Sequence, residues 1–436
     1  MTPSKGFDRT MSDWLDERAQ PRAPDGLLEH TLERTQHTSP RPGWRIPAWW
    51  LGLPVRRTGL MAAVAVGAVA LVALSLSLPW STDAPLRTAD GSLFVAPDDN
   101  GTHRSLVAAV EAAEDGDTIE LAPGTYTEAV TIDKDLTLVG SGPAEEIVIS
   151  VDEGPVMVIE GADVAMSGIT FTGPASDGVR LVGGTAILED LVFRNVGEPF
   201  TQAPCPVPCW SLYVDAGASV VVSDNEFIDG GQISINNGST AEIVGNSLSG
   251  GPHIALFEVG PGTVVRNNTI TDSKSRGIGT YEPTDVVISG NTITNVPEYG
   301  ITVGWGSSPG VNPQIVANTI SGSGNGIDVA HSAEPLIERN VIFDNGVGII
   351  LRGSDAFIGG NDLGGNGQGI VLMGGAPEVD QNTVTDGAVG LAISSAATPV
   401  LTANTICDND TNVSLTGDAE LPATGDNQIC EDESSD

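Results

Sequence analysis

Residues 361–384 are NDLGGNGQGIVLMGGAPEVDQNTV, a segment that begins and ends on the same pattern: an asparagine, any residue and an aliphatic residue. Between its two asparagines lie short apolar runs, Gly369-Ile-Val-Leu372 and Pro377-Glu-Val379, separated by glycines and polar turns. Short runs bounded by turn residues are typical of strands rather than helices. The segment therefore predicts one unit of a repeat made of short β-strands.

This asparagine pattern recurs at nearly constant spacing through the C-terminal half of the chain. Nine occurrences form a ladder, at Asn225, Asn246, Asn268, Asn291, Asn318, Asn340, Asn361, Asn382 and Asn404. Their spacings are 21, 22, 23, 27, 22, 21, 21 and 22 residues, and Phe171 and Phe193 continue the phase upstream without the asparagine. A fixed period of this length predicts a solenoid. About 22 residues accommodate three short strands and three turns, which is one coil of a parallel β-helix with about 4.8 Å between coils.

The ladder asparagines have a structural explanation. An inward asparagine at the same turn of successive coils can donate to one neighbour and accept from the other. Every buried amide in such a stack is satisfied except at the two ends. The alternative, that they are glycosylation acceptors, is disfavoured because none of the nine stands in an N-x-[ST] pattern. We therefore expect a buried asparagine ladder.

Near the N-terminus, residues 59–78 are GLMAAVAVGAVALVALSLSL, twenty residues without a charge. About twenty apolar residues cross a bilayer core of roughly 30 Å. A buried core helix is the alternative, but apolarity on every face and the flanking Arg56-Arg57 and Pro79-Trp80 favour a membrane span. We expect a single transmembrane helix over residues 59–79.

The charge distribution predicts the orientation of this span. Residues 1–58 hold nine Lys+Arg and seven Asp+Glu, a net charge of +2, whereas the chain after the span holds ten against fifty, a net charge of −40. The positive-inside rule then places residues 1–58 in the cytoplasm. The rest of the chain then lies outside the cell: a linker over 80–91, a solenoid over 92–430 and an acidic tail over 431–436. The prediction is a single-pass protein of the cell membrane. The cytoplasmic tail either only sets this topology or docks a cytoplasmic partner through its short amphipathic segments.

Charge and cysteines limit the partners further. A net charge of −38 with only three lysines excludes nucleic-acid binding through phosphate neutralisation. Four cysteines in an exported region indicate disulfides, and the simplest pairing is local: Cys205 with Cys209 and Cys407 with Cys430. A zinc site is disfavoured because nearly 200 residues separate the two pairs.

The stretch from Arg104 to Ile132, RSLVAAVEAAEDGDTIELAPGTYTEAVTI, resembles the opening of right-handed parallel β-helix proteins of the pectin lyase-like superfamily. In those proteins an amphipathic helix caps the first coil, and here Leu106, Val107 and Val110 share one helical face. The resemblance implies an all-β, right-handed parallel β-helix with an N-terminal capping helix. It does not fix the function, because the superfamily includes lyases, hydrolases, esterases, epimerases and non-catalytic binders.

The resemblance also implies where a site should lie: on the outer face of one sheet. The strands with a Gly-aliphatic-x-aliphatic pattern should form that sheet, with alternate side chains pointing outward. The candidate substrate-binding residues are Tyr213, Phe257, Tyr281 and Trp305. The candidate catalytic residues are Glu258, Glu282, Asp328, His331 and Arg352. Aromatic faces suit pyranose rings, and carboxylates suit sugar hydroxyls or acid–base chemistry. The alternative is an ordinary solvated face, with Thr302 among its outward residues and His253 in a structural role.

The enzymatic question stays open at this point. No Gly-His-Gly motif as in polygalacturonases and no Tyr-Gly-x-Asp-Pro-His motif as in alginate epimerases is present. Calcium is the one cofactor considered, at the acidic turns Asp98-Asp-Asn100 and Asp408-Asn-Asp410, which can equally be solvated turns.

The sequence favours a membrane-anchored protein that binds, and in one version modifies, an extracellular or envelope polysaccharide. The alternatives are a non-enzymatic surface rod and a maturation protein similar to periplasmic β-helix proteins of copper-enzyme assembly. The scarcity of His and Met disfavours the copper alternative.

The topology is directly testable. Protease added to intact cells should remove the C-terminal solenoid and leave a tag at Met1 protected, because the arginines beside residues 59–79 hold the N-terminus inside. Immunoblotting for tags at both ends measures this. Loss of the N-terminal tag with protection of the C-terminal one would reverse the orientation.

Overall fold

The computed structural model describes residues 92–432 except 99, 153, 174–176, 198–209, 282–284, 305–311, 331–332 and 423–424. In these residues the chain winds into a parallel β-solenoid of about 14 turns. A complete turn contributes one strand to each of three sheets, and each strand pairs in parallel with its equivalent in the next turn. The predicted all-β parallel coil is therefore confirmed. Strands are numbered from β1 to β41 in chain order.

Sheet 1 contains 14 of the described strands, and its outward positions are mainly polar. In order along the rod they are β1 (Leu93–Val95), β2 (Asp117–Leu121), β5 (Leu136–Gly140), β8 (Asp163–Ser167), β11 (Thr185–Glu189), β14 (Ser219–Ser223), β17 (Thr240–Val244), β20 (Val264–Arg266), β23 (Val287–Ser289), β26 (Gln314–Val316), β29 (Leu336–Glu338), β32 (Phe357–Gly359), β35 (Glu378–Asp380) and β38 (Val400–Thr402).

Sheet 2 contains 13 described strands, and it is the sheet with the Gly-aliphatic-x-aliphatic pattern. They are β4 (Val130–Ile132), β7 (Met157–Glu160), β10 (Val179–Val182), β13 (Trp210–Asp215), β16 (Gln232–Asn236), β19 (Ile254–Phe257), β22 (Arg276–Tyr281), β25 (Tyr299–Val303), β28 (Asn325–Val329), β31 (Val347–Leu351), β34 (Gln368–Leu372), β37 (Val389–Ser394) and β40 (Thr411–Thr416).

Sheet 3 contains 14 described strands, most of which follow directly on the ladder turn. They are β3 (Gly124–Tyr126), β6 (Ile147–Ser150), β9 (Thr170–Gly173), β12 (Val192–Val196), β15 (Glu226–Ile228), β18 (Ser247–Ser249), β21 (Thr269–Thr271), β24 (Thr292–Thr294), β27 (Thr319–Ser321), β30 (Val341–Phe343), β33 (Asp362–Gly364), β36 (Thr383–Thr385), β39 (Thr405–Ile406) and β41 (Gln428–Ile429). A short 3₁₀ turn, Ala144–Glu146, precedes β6.

A short helix covers the N-terminal end of the solenoid, as the resemblance implied. Helix α1 (Leu106–Ala112) buries Leu106, Ala109 and Val110 against the first coils. Its N-terminus is capped by the Ser105 hydroxyl, which accepts from the backbone N–H of Ala108 at 3.1 Å. The Lys134 ammonium donates to three carbonyls at its C-terminal end at 2.9–3.0 Å. Both helix ends are thus satisfied, and the exposed core of the first coil is covered.

The interior is a set of columns in which equivalent residues of successive coils stack. In one column Phe171, Phe193 and Phe227 are fully buried, with ring centroids 5.1 and 4.6 Å apart and nearly parallel planes. Aliphatic residues continue this column toward the C-terminus, from Leu248 to Ile406. Like residues stack because coils repeat at the strand spacing, so each side chain meets its own equivalent.

The asparagine ladder is present as predicted and is buried throughout. Asn318 shows the arrangement: its amide nitrogen donates to Oδ1 of Asn340 at 3.0 Å and to the Ile288 carbonyl at 3.0 Å. Its Oδ1 accepts from both the backbone N–H and the amide of Asn291, at 3.0 and 2.9 Å. Each amide of this kind therefore joins its own coil to the coils on both sides of it.

Two features of the ladder go beyond the prediction. Asn427 adds a tenth member, whose Oδ1 accepts from the Asn404 amide at 2.8 Å. A second, shorter ladder lies at the following turn, where Oδ1 of Asn366 accepts from the backbone and the amide of Asn345, both at 3.0 Å. Asn409 continues this second ladder with an amide that bonds to the Val384 and Cys407 carbonyls. The turn Asp408-Asn-Asp410 thus carries an inward asparagine.

The turn that precedes each ladder asparagine needs a left-handed backbone. Gly290 adopts it with φ 64°, and Ala317, the equivalent residue one coil later, adopts it with φ 55°. Asp408 has φ 58° at the corresponding turn of the second ladder. Glycine, asparagine and aspartate tolerate this conformation best, which accounts for many of the polar turn residues in the repeat.

The C-terminal end of the solenoid is held by a disulfide and by carboxylates. Cys407 and Cys430 are bonded with their Cα atoms 4.9 Å apart, which confirms the predicted pair. Asp426 accepts from the backbone N–H of Ala403 at 3.1 Å, and Asp432 accepts from that of Asn412 at 2.7 Å. The first residues of the predicted acidic tail therefore belong to the end of the fold. The predicted pair Cys205–Cys209 lies outside the described residues.

Among the residues that the structure describes, no helix has the length and apolar character needed to cross a membrane. The predicted transmembrane helix 59–79, cytoplasmic tail 1–58 and linker 80–91 lie outside those residues. Membrane anchoring therefore stays a prediction.

The ladder makes a quantitative prediction about stability. Asn318→Leu should leave the Asn291 backbone N–H without its acceptor and remove one hydrogen bond each from the Asn291 amide, the Asn340 Oδ1 and the Ile288 carbonyl. Each unsatisfied buried group costs about 1–3 kcal/mol. Urea unfolding followed by circular dichroism should show a loss of at least about 2 kcal/mol. The control Gln314→Leu replaces an exposed amide of the same coil and should stay within about 0.5 kcal/mol. Equal effects would mean that the ladder amides contribute no more than surface amides.

Candidate functional site

The outer face of sheet 2 carries the side chains from which a site can be built. Along the rod it presents aromatic rings and arginines, grouped into three clusters around Arg180, Arg276 and Arg352. In the register of this sheet Phe257 pairs with Tyr281, whereas Thr302 pairs with Gly279 and Asp328. Thr302 and Asp328 therefore occupy an outward column two residues earlier in the strand than the column of the two rings.

The first cluster surrounds Arg180 on β10. Its guanidinium forms an ion pair with the buried Asp177 at 2.6 Å and lies 5.8 and 5.5 Å from the ring centres of Trp210 and Tyr213. The two rings are 4.2 Å apart. The Tyr213 hydroxyl donates to Asp215 at 2.8 Å. Arginine and rings thus hold one another in place. The segment 198–209, which precedes Trp210 in the sequence, lies outside the described residues.

Electrostatics keeps this cluster in one protonation state. Burial, and then the hydrogen bond to Asp215, raises the pKa of Tyr213 to about 12. Burial opposes ionisation of Asp215, but hydrogen bonds from Asn237, Tyr213 and the Ala216 N–H outweigh it and lower the pKa of that carboxyl. At neutral pH the tyrosine is a hydrogen-bond donor and the aspartate a carboxylate.

The second cluster forms a pocket of about 260 Å³ between β16, β19 and β22. Its polar and aromatic lining consists of Gln232, His253, Phe257, Lys274, Arg276 and Tyr281, together with Ser275. Three glycines at 230, 231 and 251 form part of the wall, which leaves the pocket open to a ligand.

Two stacked rings form one wall of the pocket. Phe257 and Tyr281 have ring centres 4.4 Å apart with an angle of 11° between their planes. Gly279 makes this possible, because a Cβ there would lie 3.0–3.2 Å from the Tyr281 ring, which folds back along the strand. The Arg276 guanidinium lies 5.5 Å from the centre of that ring. The result is a flat, half-buried aromatic surface next to a cation.

The cations of the pocket are weakly neutralised. Arg276 reaches Glu298 only at 3.9 Å, and that carboxylate is 53% exposed. The Glu298 carboxylate also accepts from the Ser275 hydroxyl at 2.7 Å. Lys274 is exposed and forms no ion pair with any described residue.

His253 lines the pocket as a neutral group. Burial, with a smaller effect of the Arg276 charge, lowers the pKa of His253 to about 3. Its side chain lines the pocket, and among the described residues none hydrogen bonds to its ring. The structural role expected from the sequence is therefore incomplete as an account of this residue.

The third cluster pairs Asp328 with Arg352. The arginine donates from Nε to Oδ1 at 3.1 Å and from a terminal nitrogen to Oδ2 at 2.9 Å, and Asn325 donates to Oδ2 at 2.7 Å. Asp328 is fully buried beneath the guanidinium, and these bonds raise the pKa of Arg352. The expected exposure of Thr302 is wrong, because it is also fully buried, with an unpaired hydroxyl.

The structure brings together only some of the predicted site residues. Phe257 and Tyr281 meet at the pocket, Tyr213 lies in the first cluster, and Asp328 meets Arg352. Glu258 is exposed on the turn after β19, three coils from Asp328, about 14 Å along the rod. Carboxylates that act together on a glycosidic bond lie within about 10 Å. Glu282, Trp305 and His331 lie outside the described residues and remain predictions.

Sequence reasoning missed Arg276 and Tyr299, although a signal was available. Both precede the glycine of their strand, and their register places them in one outward column with Asn325. Each stands two residues before an inward isoleucine, Ile278 or Ile301, so strict alternation would place both inward, and the remaining signal in the sequence is the glycine that follows each of them. Trp210 was missed because it follows the insert. Gln232 was missed because its partner strand carries a bulge, which shifts the register at that point.

No group of three His, Cys, Asp or Glu side chains suited to a metal ion occurs among the described residues. At the proposed calcium turns, Asp98 accepts from the Asn100 side chain at 2.8 Å, and Asn409 points inward. Residue 99 lies outside the described residues, so calcium stays an untested possibility of that turn.

Comparison with known families identifies the repeat. Residues 211–342 match the family described as right handed beta helix region, and residues 308–430 match the family described as periplasmic copper-binding protein (NosD). The coil is therefore a right-handed β-helix repeat. No curated protein shows significant sequence similarity to the chain.

Solved structures show the same fold. Tailspike protein 3 of bacteriophage CBA120 is 11% identical over 85% of this chain and 68% of its own, with a TM-score of 0.52. The A-module of a mannuronan C-5 epimerase of Azotobacter vinelandii is 14% identical over 74% and 94%, with a TM-score of 0.48. The alginate lyase AlyF-OU02 is 15% identical over 78% and 90%, with a TM-score of 0.49. At such identities the likeness concerns the fold alone.

The depressed pKa of His253 predicts acid sensitivity. The unfolded chain binds a proton at His253 below about pH 6.5, whereas the folded chain does so only near pH 3. Stability therefore falls as the pH drops through this window. From pH 7 to pH 5 the wild type should lose about 2 kcal/mol more than His253→Gln in urea unfolding.

A direct titration checks the cause of this effect. The His253 ring proton signal of the wild type should not shift between pH 8 and about pH 4 in NMR spectra. A midpoint near 6.5, with equal acid sensitivity in the two proteins, would contradict the prediction.

Proposed function

We propose that this protein binds an extracellular or envelope polysaccharide along the outer face of sheet 2. The observation that carries the proposal is the series of rings on that face: Trp210 with Tyr213, then Phe257 with Tyr281, then Tyr299. In the two pairs the ring centres are 4.2 and 4.4 Å apart, and an arginine guanidinium lies over the tyrosine ring of each pair. Tyr299 lies 6.0 Å from the Arg276 guanidinium. Rigid, half-buried rings provide the contact area that binding sites use.

The geometry of the face suits an extended chain. The strands β13, β16, β19, β22 and β25 follow one another along the rod, so the rings lie within four coil spacings, roughly 19 Å. A parallel β-helix keeps these spacings fixed, because every strand is bonded to both neighbours. A preformed row of this kind costs little ordering entropy on binding.

Proteins of this fold include enzymes named for polysaccharides, the mannuronan epimerase and the alginate lyase above. The tailspike, the nearest of the three by TM-score, shows that the coil scaffold is shared over most of this chain. For the present protein the proposal stands on its own ring series. The match to the periplasmic copper-binding protein (NosD) family falls on residues 308–430. The described residues of these coils contribute to the two asparagine ladders and form the Cys407–Cys430 disulfide.

The proposal includes the location expected from the sequence. A span over 59–79 with the N-terminus in the cytoplasm would hold the solenoid outside the membrane, where the Cys407–Cys430 disulfide is stable. Residues 1–58 would then be available to a cytoplasmic partner.

Modification of the bound chain would need an acid–base pair on this face. The Asp328 carboxylate already accepts hydrogen bonds from Arg352 and Asn325, so its role is to position Arg352. Glu258, Glu282 and His331 remain the candidate acid–base groups. The alternative, a surface rod without ligand, predicts no glycan binding.

A ring deletion tests the proposal. A glycan array probed with the purified full-length protein should identify a bound polysaccharide, and titration calorimetry should then show that Tyr281→Ala weakens binding by more than about 1 kcal/mol. The ring loses its contact with the sugar while the buried core is unchanged. Trp305→Ala should act similarly.

The matched control is Phe343→Ala, which removes an exposed ring from sheet 3. It should leave the affinity unchanged, and both variants should melt close to the wild type. If no polysaccharide binds across a broad array, with or without calcium, the surface-rod alternative is correct instead.

A further inference from the structure

We infer that the pocket at Arg276 is an anion subsite, and that the bound polysaccharide is neutral along most of its length with anionic substituents at intervals. The inference rests on the proposed function and specifies its ligand. It assigns the anionic substituent to Lys274 and Arg276, and the neutral sugars to the rings on either side.

The distribution of cations is the first argument. The chain after residue 80 carries only ten Lys+Arg against fifty Asp+Glu. Four of the ten, Arg180, Lys274, Arg276 and Arg352, belong to the three clusters on the outer face of sheet 2. Such a concentration on one face of an acidic rod favours a ligand with some negative charge at that face.

The ion pairs then distinguish the clusters. Arg180 is neutralised by Asp177 at 2.6 Å and Arg352 by Asp328 through two bonds. In contrast, Arg276 has only the 3.9 Å contact with an exposed Glu298, and Lys274 has no ion pair among the described residues. Among the described residues of the three clusters, only those of the pocket therefore offer positive charge that is not already balanced at short range.

The remaining pocket groups suit an anionic substituent of a sugar. Gln232 is 7% exposed, and no described residue hydrogen bonds to its side-chain amide, so an amide donor is available inside the pocket. His253 is a neutral group to whose ring no described residue hydrogen bonds. A guanidinium fork recognises carboxylate, sulfate or phosphate oxygens in a planar arrangement. The Tyr281 face beside it suits the attached sugar ring.

The same facts argue against a chain with a charge on every residue. Beyond the pocket such a chain would pass arginines that are already paired and a surface with a net charge of −40. Like charges at that surface repel, and the repulsion is not compensated by free cations. One anion per several sugars matches one free cationic pocket in a row of neutral rings.

The experiment uses the full-length protein and three sets of array glycans. They are neutral oligosaccharides, the same oligosaccharides carrying one carboxylate, sulfate or phosphate, and oligogalacturonates of equal length. We expect singly substituted glycans to bind at least tenfold more tightly than their neutral parents and more tightly than oligogalacturonates. Arg276→Gln and Lys274→Gln should each reduce the preference, and the double variant should abolish it.

Arg266→Gln provides the matched control. It removes the same charge from an exposed arginine on sheet 1, paired with Glu242 at 2.6 Å. It should leave the preference intact. Equal binding of neutral and substituted glycans, tightest binding of oligogalacturonate, or a preference that survives the double variant would each overturn the inference.

Titration with inorganic phosphate and sulfate separates the two proposals. If no glycan binds but phosphate or sulfate binds in an Arg276-dependent way, the proposed function fails, and with it the sparsely charged ligand, while the anion subsite stands. If glycans bind without preference and neither inorganic anion binds, the subsite fails and the proposed function stands.

Discussion

The stacking of buried amides is the constraint on which this structure depends. An asparagine side chain inside an apolar core is costly unless all of its hydrogen bonds are made. Here each amide is satisfied chiefly by the amides and carbonyls of adjacent coils, as Asn318 shows between Asn291 and Asn340. The period of the chain is held near 22 residues for this reason, and longer intervals must leave the core as loops.

The fixed period also explains how a binding face can form from residues far apart in sequence. Trp210 and Tyr299 are separated by almost ninety residues, yet their strands are only four coils apart in one sheet. The outward positions are not needed for the core, so rings, arginines and glycines can be placed there coil by coil. Gly279 is an example, since its missing side chain lets the Tyr281 ring lie along the sheet beside Arg276.

The sequence predicts the fold and most of the ladder because both follow from periodicity. Inward positions recur with the period of the coil, and the asparagines from Asn225 to Asn404 show this period directly in the sequence. The face is less predictable, because the exposure of an outward residue depends on its neighbours in other coils. Asp328 and Thr302 were placed outward correctly but are buried, the first under an arginine 24 residues later in sequence. Arg276 and Gln232 were missed since the start of a strand is set by glycines and bulges, which alternation alone does not locate.

The ladder also has a direction. From Asn225 to Asn404 every side-chain amide donates to the oxygen of the next coil, so nine links are oriented alike along the rod. Aligned amides polarise one another and add their dipoles, with the donor end toward the C-terminus. That end is where the backbone N–H groups of Ala403 and Asn412 meet the Asp426 and Asp432 carboxylates. The acidic residues after the last coils thus lie at the positive pole of a macrodipole made from side chains, much as acidic residues favour the start of an α-helix.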